Sequence, residues 1–304
     1  QNGKDTILGI SKENLDSDNP NRVVFDENSE INNILGQYDS NEDGNIDAQE
    51  IKAIKELTIT ENSGISNFKD LYNLTSLQKI IFQNVSLQNL EGIENAVQLN
   101  FVEFQNVNIQ DYKALGKISK LQYLYMYMPN DEEVDKLCTG LESAELSSLN
   151  YFGLYGFNLM QYTRDLNSYY NSTTSALTDI SPLEKLSTVT KESIKYVYLN
   201  NNNLNSIEAL KDFKNIYNIN LTVNTNLKSL EGLENKKDLK YLYTAYTGIE
   251  NTDGLSGCDE IYHIVCHNTQ LKQFTNLTGT NLSYIYAENS KLTTLEGLEN
   301  QNII

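Results

Sequence analysis

The sequence predicts an α/β fold in which about ten short parallel strands stack side by side, each followed by a tight helical turn. The main observation is an apolar pattern that recurs about every 22 residues over most of the 304-residue chain. Within each unit the apolar period changes from two to three, as expected for a strand followed by a tight turn. A 12-residue acidic loop precedes the first unit and indicates a small cap.

The repeating pattern is Leu-x-x-Leu-x-Leu, in which other apolar residues can replace Leu. In one unit, Leu77, Ile80 and Phe82 alternate like inward-facing strand residues, and apolar residues then recur every third position from Leu87. One unit cannot bury its own apolar side, so neighbouring units must stack. The first apolar positions of the ten units are Ile54, Leu77, Leu99, Leu121, Leu149, Ile194, Ile216, Leu239, Ile261 and Leu282.

These units resemble leucine-rich repeats, and most closely those of the bacterial internalins. The segment LTDISPLEKL, at 177–186, is similar to the second half of an internalin repeat. Asn202 and Asn224 stand where that family places a ladder of asparagines that bond to the backbone. The resemblance implies a leucine-rich-repeat solenoid, or horseshoe, with a parallel concave sheet and short convex turns. The ladder position departs from the family pattern at Val85, Val107, Pro129, Phe157, Thr247, Thr269 and Ser290.

Two spacings exceed the period and predict insertions near 129–148 and 160–193. In the first, Val134, Leu137 and Leu141 have helical spacing after a cap at Asn130 or Asp131, which predicts a full helix. The second, mostly 160–175, is polar and aromatic without a period and predicts a protruding loop, either idle or binding. The predicted domains are a cap at 1–53 and a repeat array at 54–304.

The residues at both ends of the chain lead to predictions about the natural protein. The chain begins without Met or a signal-like apolar segment, which indicates that a leader was removed, either biologically or by design of the expressed chain. Ile304 falls at the first apolar position of an eleventh unit. Because an uncovered repeat would expose apolar surface and a sheet edge, we expect the natural protein to continue, unless Ile303 and Ile304 form a crude cap.

Composition excludes several classes of protein. The chain has 23 Lys and Arg against 41 Asp and Glu, and a net charge of −18 disfavours nucleic acid and anionic membranes as partners. No apolar run is long enough for a membrane span. Three cysteines are few and odd in number, so the chain has no disulfide framework for its stability.

The acidic loop DSNEDGNIDAQE, at 39–50, has the complete EF-hand calcium pattern. Calcium takes six to eight oxygen ligands, and alternate side chains of a curled loop direct oxygens inward. The alternative is a degenerate loop that keeps the turn without the ion, as the family's caps do. The sequence contains one such loop, so we expect a structural calcium site rather than a switch. The predicted ligands are Asp39, Asn41, Asp43, Asp47 and Glu50, with the backbone carbonyl of Asn45.

The sequence offers no catalytic constellation. The only two histidines, His263 and His267, are too far apart along one strand to share a metal, so we expect two solvated side chains. Cys266 alternates to the opposite side, into the core. We find no phosphate-binding loop or nucleophile motif and predict that the chain is not an enzyme.

Tyrosines concentrate at the strand positions that the repeat register places on the concave surface. That surface holds 12 of the 20 tyrosines, although it comprises a small part of the chain. The enrichment could reflect only the general preference of tyrosine for half-exposed strands. Thr and Val have the same preference, however, and both are rare at these positions. The predicted partner-binding residues are Tyr123, Tyr125, Tyr127, Tyr151, Tyr155, Tyr196, Tyr198, Tyr241, Tyr243, Tyr246, His263, Tyr284 and Tyr286.

The sequence thus predicts a monomeric recognition module that binds a protein partner through its tyrosine-rich concave face. The internalin resemblance implies an extracellular or bacterial cell-surface location. Two alternatives remain open. The same tyrosines could bind a glycan or cell-wall polymer, or the chain could be the targeting part of a larger enzyme.

Overall fold

A computed structural model describes residues 6–7, 10–11, 15–19, 22–156, 177–277, 279, 281–299, 301 and 303. The predicted loop at 160–175, with its tyrosines, lies outside these residues. The chain divides into two compact units, Gln1–Tyr123 and Leu124–Ile304. The two units supply ten parallel strands of the main sheet.

The first unit begins with an antiparallel pair of two-residue strands, β1 (Thr6–Ile7) and β2 (Ile10–Ser11). Helix α1 (Asn32–Leu35) continues into a 3-10 turn at Gly36–Tyr38, and helix α2 (Ala48–Ala53) follows the acidic loop. Ile31, Ile34 and Leu35, at and just before α1, are buried. The strands of the main sheet in this unit are β3 (Glu56–Thr60), β4 (Lys79–Gln83) and β6 (Phe101–Gln105).

Short turns connect the strands of the first unit. They are 3-10 helices at Glu61–Ser63, Lys69–Asn73, Ile93–Asn95 and Lys113–Lys117. A second, two-stranded parallel sheet pairs β5 (Ser86–Leu87) with β7 (Asn108–Ile109). Each repeat therefore closes through a strand, a small side strand or turn, and a 3-10 helix.

The second unit contains seven strands of the main sheet, the first of which starts at the unit boundary. They are β8 (Tyr123–Tyr127), β9 (Tyr151–Tyr155), β10 (Tyr196–Tyr198), β11 (Asn218–Asn220), β12 (Tyr241–Tyr243), β13 (His263–Val265) and β14 (Tyr284–Tyr286). The turns are 3-10 helices at Ser181–Lys185, Glu208–Leu210 and Asp253–Leu255. The described part of this unit also contains two α-helices, α3 (Asp131–Leu141) and α4 (Thr188–Ser193).

The predicted alternation of buried and outward residues is confirmed in β3, β4, β8 and β10 to β13. In β6 and β9 the outward positions of Glu103, Gly153 and Tyr155 are buried as well. Leu77, Ile80 and Phe82 are fully buried in the first unit, and Leu239 and Leu242 in the second. Neighbouring strands pair in register, so that equivalent residues of successive repeats lie opposite one another. One such row consists of Val197, Ile219, Leu242, Ile264 and Ile285. Repeated stacking of short strands through 3-10 turns is the leucine-rich-repeat fold.

Asparagine stabilises these repeats in two ways. Asn202 and Asn224 are buried, and the Asn224 amide donates to the carbonyls of Leu199 (2.9 Å) and Leu221 (2.8 Å). Other asparagines follow strands in the left-handed region, which Asn tolerates better than most residues. These are Asn84, Asn106, Asn201, Asn268 and Asn289, with φ between 49° and 63°.

The helix predicted in the first insertion is confirmed. It begins after Asn130, whose side chain caps it by accepting from Glu133 N (2.9 Å), and its face is buried at Val134, Leu137 and Leu141. Asp131 accepts hydrogen bonds from the amide and hydroxyl of Thr178, both at 2.7 Å. This carboxylate therefore joins the two described segments that flank 157–176. Within the described residues, no helix is both long and apolar enough to cross a membrane.

Candidate functional site

The second unit presents a surface of aromatic side chains on its parallel strands, called the tyrosine face below. Register aligns these side chains across neighbouring strands. Tyr196 pairs with Asn218, which pairs with Tyr241, and the row continues through His263 to Tyr284. The tyrosine face comprises Tyr125, Tyr127, Tyr151, Tyr155, Tyr196, Tyr198, Tyr241, Tyr243, Tyr246, His263, His267, Tyr284 and Tyr286.

The rings on the first strands of this face stack on one another. Tyr151 and Tyr196 have centroids 4.3 Å apart and planes 10° apart. Tyr127 stacks on Tyr155 at 4.7 Å and 11°, and Tyr155 on Tyr198 at 5.8 Å and 19°. Because stacked rings cover one another's faces, they offer mainly edges and hydroxyl groups to a partner.

A missing side chain makes room for this packing. Gly153 lies on β9, and a Cβ there would collide with the rings of Tyr155 and Tyr125. Tyr155 is accordingly buried, unlike the half-exposed tyrosines around it. Tyr155 therefore supports the neighbouring rings, whereas Tyr284 and Tyr286 on β14 are 40% and 49% exposed.

Two tyrosines outside the predicted set extend this surface. Tyr217 lies between Tyr196 and Tyr241, with centroids 5.7 Å and 5.5 Å away, and so fills the gap above Asn218. Tyr262 contacts Tyr241 at 6.2 Å and Tyr284 at 5.2 Å. Both lie one residue before a strand, where inward–outward alternation gives no prediction. Their occurrence at the same place in two repeats is the signal that identifies them.

The histidines are packed rather than simply solvated. His263 lies 5.8 Å from Tyr243 and 5.7 Å from Tyr284, whereas His267 lies 4.9 Å from Tyr246 and 4.7 Å from Tyr286. Burial lowers the pKa of His267, although the nearby Glu288 carboxylate opposes this change. His267 is therefore mainly neutral at pH 7 and adds little charge to the face.

The hydroxyl groups of Tyr198 and Tyr286 remain protonated at neutral pH. Burial raises the pKa of Tyr198, and the neighbouring phenols of Tyr196 and Tyr243 raise it further. The Tyr286 hydroxyl donates to Glu288 Oε2 at 2.6 Å, and this bond raises the pKa of Tyr286. These phenols therefore act as neutral hydrogen-bond donors and acceptors.

Tyr123 belongs to a smaller aromatic group in the first unit. Its ring stacks on Phe101 with centroids 5.3 Å apart, and the Lys79 ammonium lies 4.7 Å from the centre of the Phe101 ring. Lys79 also pairs with Glu56 at 3.4 Å. This group therefore includes a positive and a negative side chain, whereas the tyrosine face consists of aromatic side chains.

Hydrogen bonds from backbone amides to side-chain oxygens hold the acidic loop of the first unit in a tight turn. Asp39 Oδ2 accepts from Gly44 N at 2.8 Å, and Asn41 Oδ1 accepts from Asp43 N at 2.9 Å. Gly44 has φ of +80°, a conformation that favours glycine at the sharp turn. Asp47 caps α2 by accepting from Gln49 N and Glu50 N.

Glu50 is held by the loop itself. Its Oε1 accepts from Ser40 N at 2.8 Å and Ser40 Oγ at 2.9 Å, and its Oε2 accepts from Asp47 N at 3.0 Å. Burial acts to raise the pKa of Glu50, but these hydrogen bonds outweigh it and lower the pKa below its usual value. The carboxylate is therefore ionised at neutral pH.

The predicted ligands of the loop are of the chemical type that calcium prefers, but their carboxylates do not converge on one point. All predicted ligands offer oxygen, which suits a hard cation. Within the described part of the chain, no three acidic, histidine or cysteine side chains are grouped so as to hold a metal ion.

The parallel strands, 3-10 turns and buried asparagines define an α/β leucine-rich-repeat protein. No protein-family model and no curated protein matches the chain. Among solved structures, it is similar to internalin C2 of Listeria monocytogenes, with 14% identity, coverage of 86% of this chain and 84% of that chain, and a TM-score of 0.43. InlP of the same organism has 14% identity, coverage of 85% and 63%, and a TM-score of 0.47. At this identity the likeness concerns the fold alone.

Proposed function

We propose that the chain is a non-enzymatic recognition module that binds a protein partner through the tyrosine face. The main support is the run of mutually packed rings on neighbouring strands β8 to β14. Packed rings lose little conformational entropy on binding, and their hydroxyl groups retain hydrogen bonds. Tyrosine is also enriched among the residues that contribute most to protein interfaces.

Ring geometry favours a protein partner over a glycan. Sugar stacking requires an open ring face, but the rings of Tyr151 and Tyr196 cover each other at 4.3 Å and 10°. Tyr127 and Tyr155 do the same at 4.7 Å. A surface of ring edges and hydroxyl groups suits the mixed apolar and polar contacts of a protein interface.

The proposed setting is the outside of a bacterial cell, where the chain acts as a monomer. The tyrosine face carries few charges although the chain has a net charge of −18, so the acidic groups lie mainly elsewhere. Such a distribution maintains solubility around an apolar binding surface. If the chain is instead the targeting part of a larger enzyme, we expect it to bind its target through the same tyrosine face.

A parallel screen against protein and glycan arrays tests the class of partner. We expect the 304-residue chain to bind one or more proteins saturably and to leave the glycan array unlabelled. Saturable binding to glycans alone would contradict the proposal of a protein partner.

We propose further that the acidic loop binds one structural calcium ion through Asp39, Asn41, Asp43, Asn45, Asp47 and Glu50. Support comes from the oxygen donors at EF-hand spacing and from the turn at Gly44. An ion bound only to the native state would stabilise it by mass action.

Melting temperature with and without calcium tests this site. We expect millimolar calcium to raise the melting temperature of the wild-type chain, and Asp43→Ala or Glu50→Gln to abolish that increase. Asp26→Asn, outside the loop, provides the control because it should retain the increase. An unchanged calcium effect in both loop variants would assign the ion to another place.

A further inference from the structure

A cavity of about 580 Å³ lies beside the tyrosine face, at the beginning of strands β12 to β14. Tyr217, Tyr241 and Tyr262 contribute its aromatic walls, and Lys240, Glu260 and Asn281 contribute polar groups. Its volume is within the range of ordinary ligand-binding pockets. All of these residues belong to the second unit.

On one side of this cavity, a lysine of the protein itself contacts an aromatic ring. The Lys240 ammonium lies 5.9 Å from the centre of the Tyr217 ring. That distance is within the range of a cation–π interaction, in which the negative face of the ring attracts positive charge. This contact shows that an aromatic wall of the cavity accommodates a cation.

The other side has similar aromatic walls and a carboxylate. Tyr241 and Tyr262 have centroids 6.2 Å apart at 71°, so the two rings are close to perpendicular. Glu260 is exposed, and its Oε2 accepts a hydrogen bond from the Asn281 amide at 3.1 Å. Among the described residues, no Lys, Arg or His lies within ion-pair distance of Glu260.

We propose that this side of the cavity receives an arginine or lysine side chain of the protein that docks on the tyrosine face. The inference rests on the proposed function and specifies its partner, which must present a basic residue at the edge of its interface. The carboxylate of Glu260 pairs with the incoming cation, and the electron-rich rings of Tyr241 and Tyr262 lie beside it. The net charge of −18 favours a basic partner surface over long range.

A short peptide provides a probe that does not depend on knowledge of the partner. Acetyl-Gly-Arg-Gly-amide is titrated into the 304-residue chain with ¹³C-labelled tyrosine rings, and NMR records the shifts. Spectra of Tyr241→Phe and Tyr262→Phe assign the two signals. We expect saturable shifts of both signals with the arginine peptide. The isosteric citrulline peptide lacks the charge, so we expect at least fivefold weaker binding.

Matched variants locate the binding of the probe. We expect Glu260→Gln to weaken binding of the arginine peptide at least fivefold and Glu231→Gln, an exposed acid on a turn of the same unit, to leave it unchanged. Lys240→Gln should strengthen binding, because a like charge leaves the cavity. Equal binding of the arginine and citrulline peptides, or an unaffected Glu260→Gln variant, would overturn the inference.

The titration separates this inference from the proposed function. A chito-oligosaccharide titrated in parallel should leave the Tyr241 and Tyr262 signals unchanged, and shifts with the sugar but not with the arginine peptide would assign the cavity to glycans. If the arginine peptide fails while substitutions on the tyrosine face weaken partner binding, the inference is wrong and the proposed function stands. If the peptide binds but those substitutions have no effect on partner binding, the proposed function fails instead.

Discussion

Asn224 connects three backbone groups of neighbouring repeats through one buried side chain. Its amide donates to the carbonyls of Leu199 and Leu221, and its Oδ1 accepts from Leu204 N at 3.1 Å. Buried backbone groups that lose their partners are costly to the folded state. The side chain therefore replaces hydrogen bonds that the narrow turn after each strand cannot make within the backbone.

Replacing this asparagine should reveal that cost. We expect Asn224→Ala to lower the free energy of unfolding by roughly 2 to 4 kcal/mol, because three buried groups lose a partner. Urea unfolding measures the change. Asn226→Ala, at an exposed position two residues later, should change stability by less than about 0.5 kcal/mol. Similar losses in both variants would exclude a specific role for the ladder.

A half-buried carboxylate predicts a pH dependence in the first unit. Glu30 accepts hydrogen bonds from Ser66 N at 2.5 Å and Asn67 N at 2.7 Å. Burial acts to raise the pKa of Glu30, but these bonds outweigh it and lower the pKa. A lowered folded-state pKa contributes stability that is present above the unfolded pKa and is lost as pH falls through the folded value.

Glu30→Gln tests this contribution. We expect the variant to melt at a lower temperature than the wild type at pH 7, and the difference to shrink as pH falls below about 4, near the usual pKa of a glutamate. Thermal melting at a series of pH values measures the difference. A constant difference from neutral to strongly acidic pH would mean that the ionised carboxylate contributes no stability.

At the scale of elements, the sequence predicts strands more completely than side-chain arrangements. The period-two pattern correctly places inward residues such as Ile80, because a one-residue slip would expose the entire apolar set. Asn130 is recognisable as a helix cap from its place before an apolar helical pattern. The bonds from Ser40 to Glu50 are not predictable, because the loop pattern specifies the turn and not the rotamer of its last carboxylate.

The strand register can be tested on β12. Leu242 is fully buried, whereas its neighbour Tyr243 is half-exposed on the tyrosine face. We expect Leu242→Ala to cost roughly 2 to 5 kcal/mol of unfolding free energy, because a buried cavity remains, and Tyr243→Ala to cost less. Urea unfolding of both variants provides the comparison. A larger loss for Tyr243→Ala would contradict the register.

At the scale of the whole chain, charge and aromatic surface are separated. Among the acidic residues that the structure describes, Glu260 and Glu288 accompany the aromatic side chains of the second unit. The sequence predicts the face because its tyrosines recur with the repeat. It does not predict which rings stack and which remain open, because that depends on Gly153 and on contacts between repeats.

The most direct measurement is the affinity of a protein partner for the variant Tyr198→Ala/Tyr243→Ala, determined by calorimetry beside the wild type. We expect the dissociation constant to rise at least tenfold, about 1.4 kcal/mol, because two aromatic contacts are lost. Tyr72→Ala removes an exposed tyrosine from a turn of the first unit and should leave affinity unchanged. Unchanged affinity in the double variant, with binding lost on deletion of 160–175, would contradict the proposed site and assign binding to the insertion.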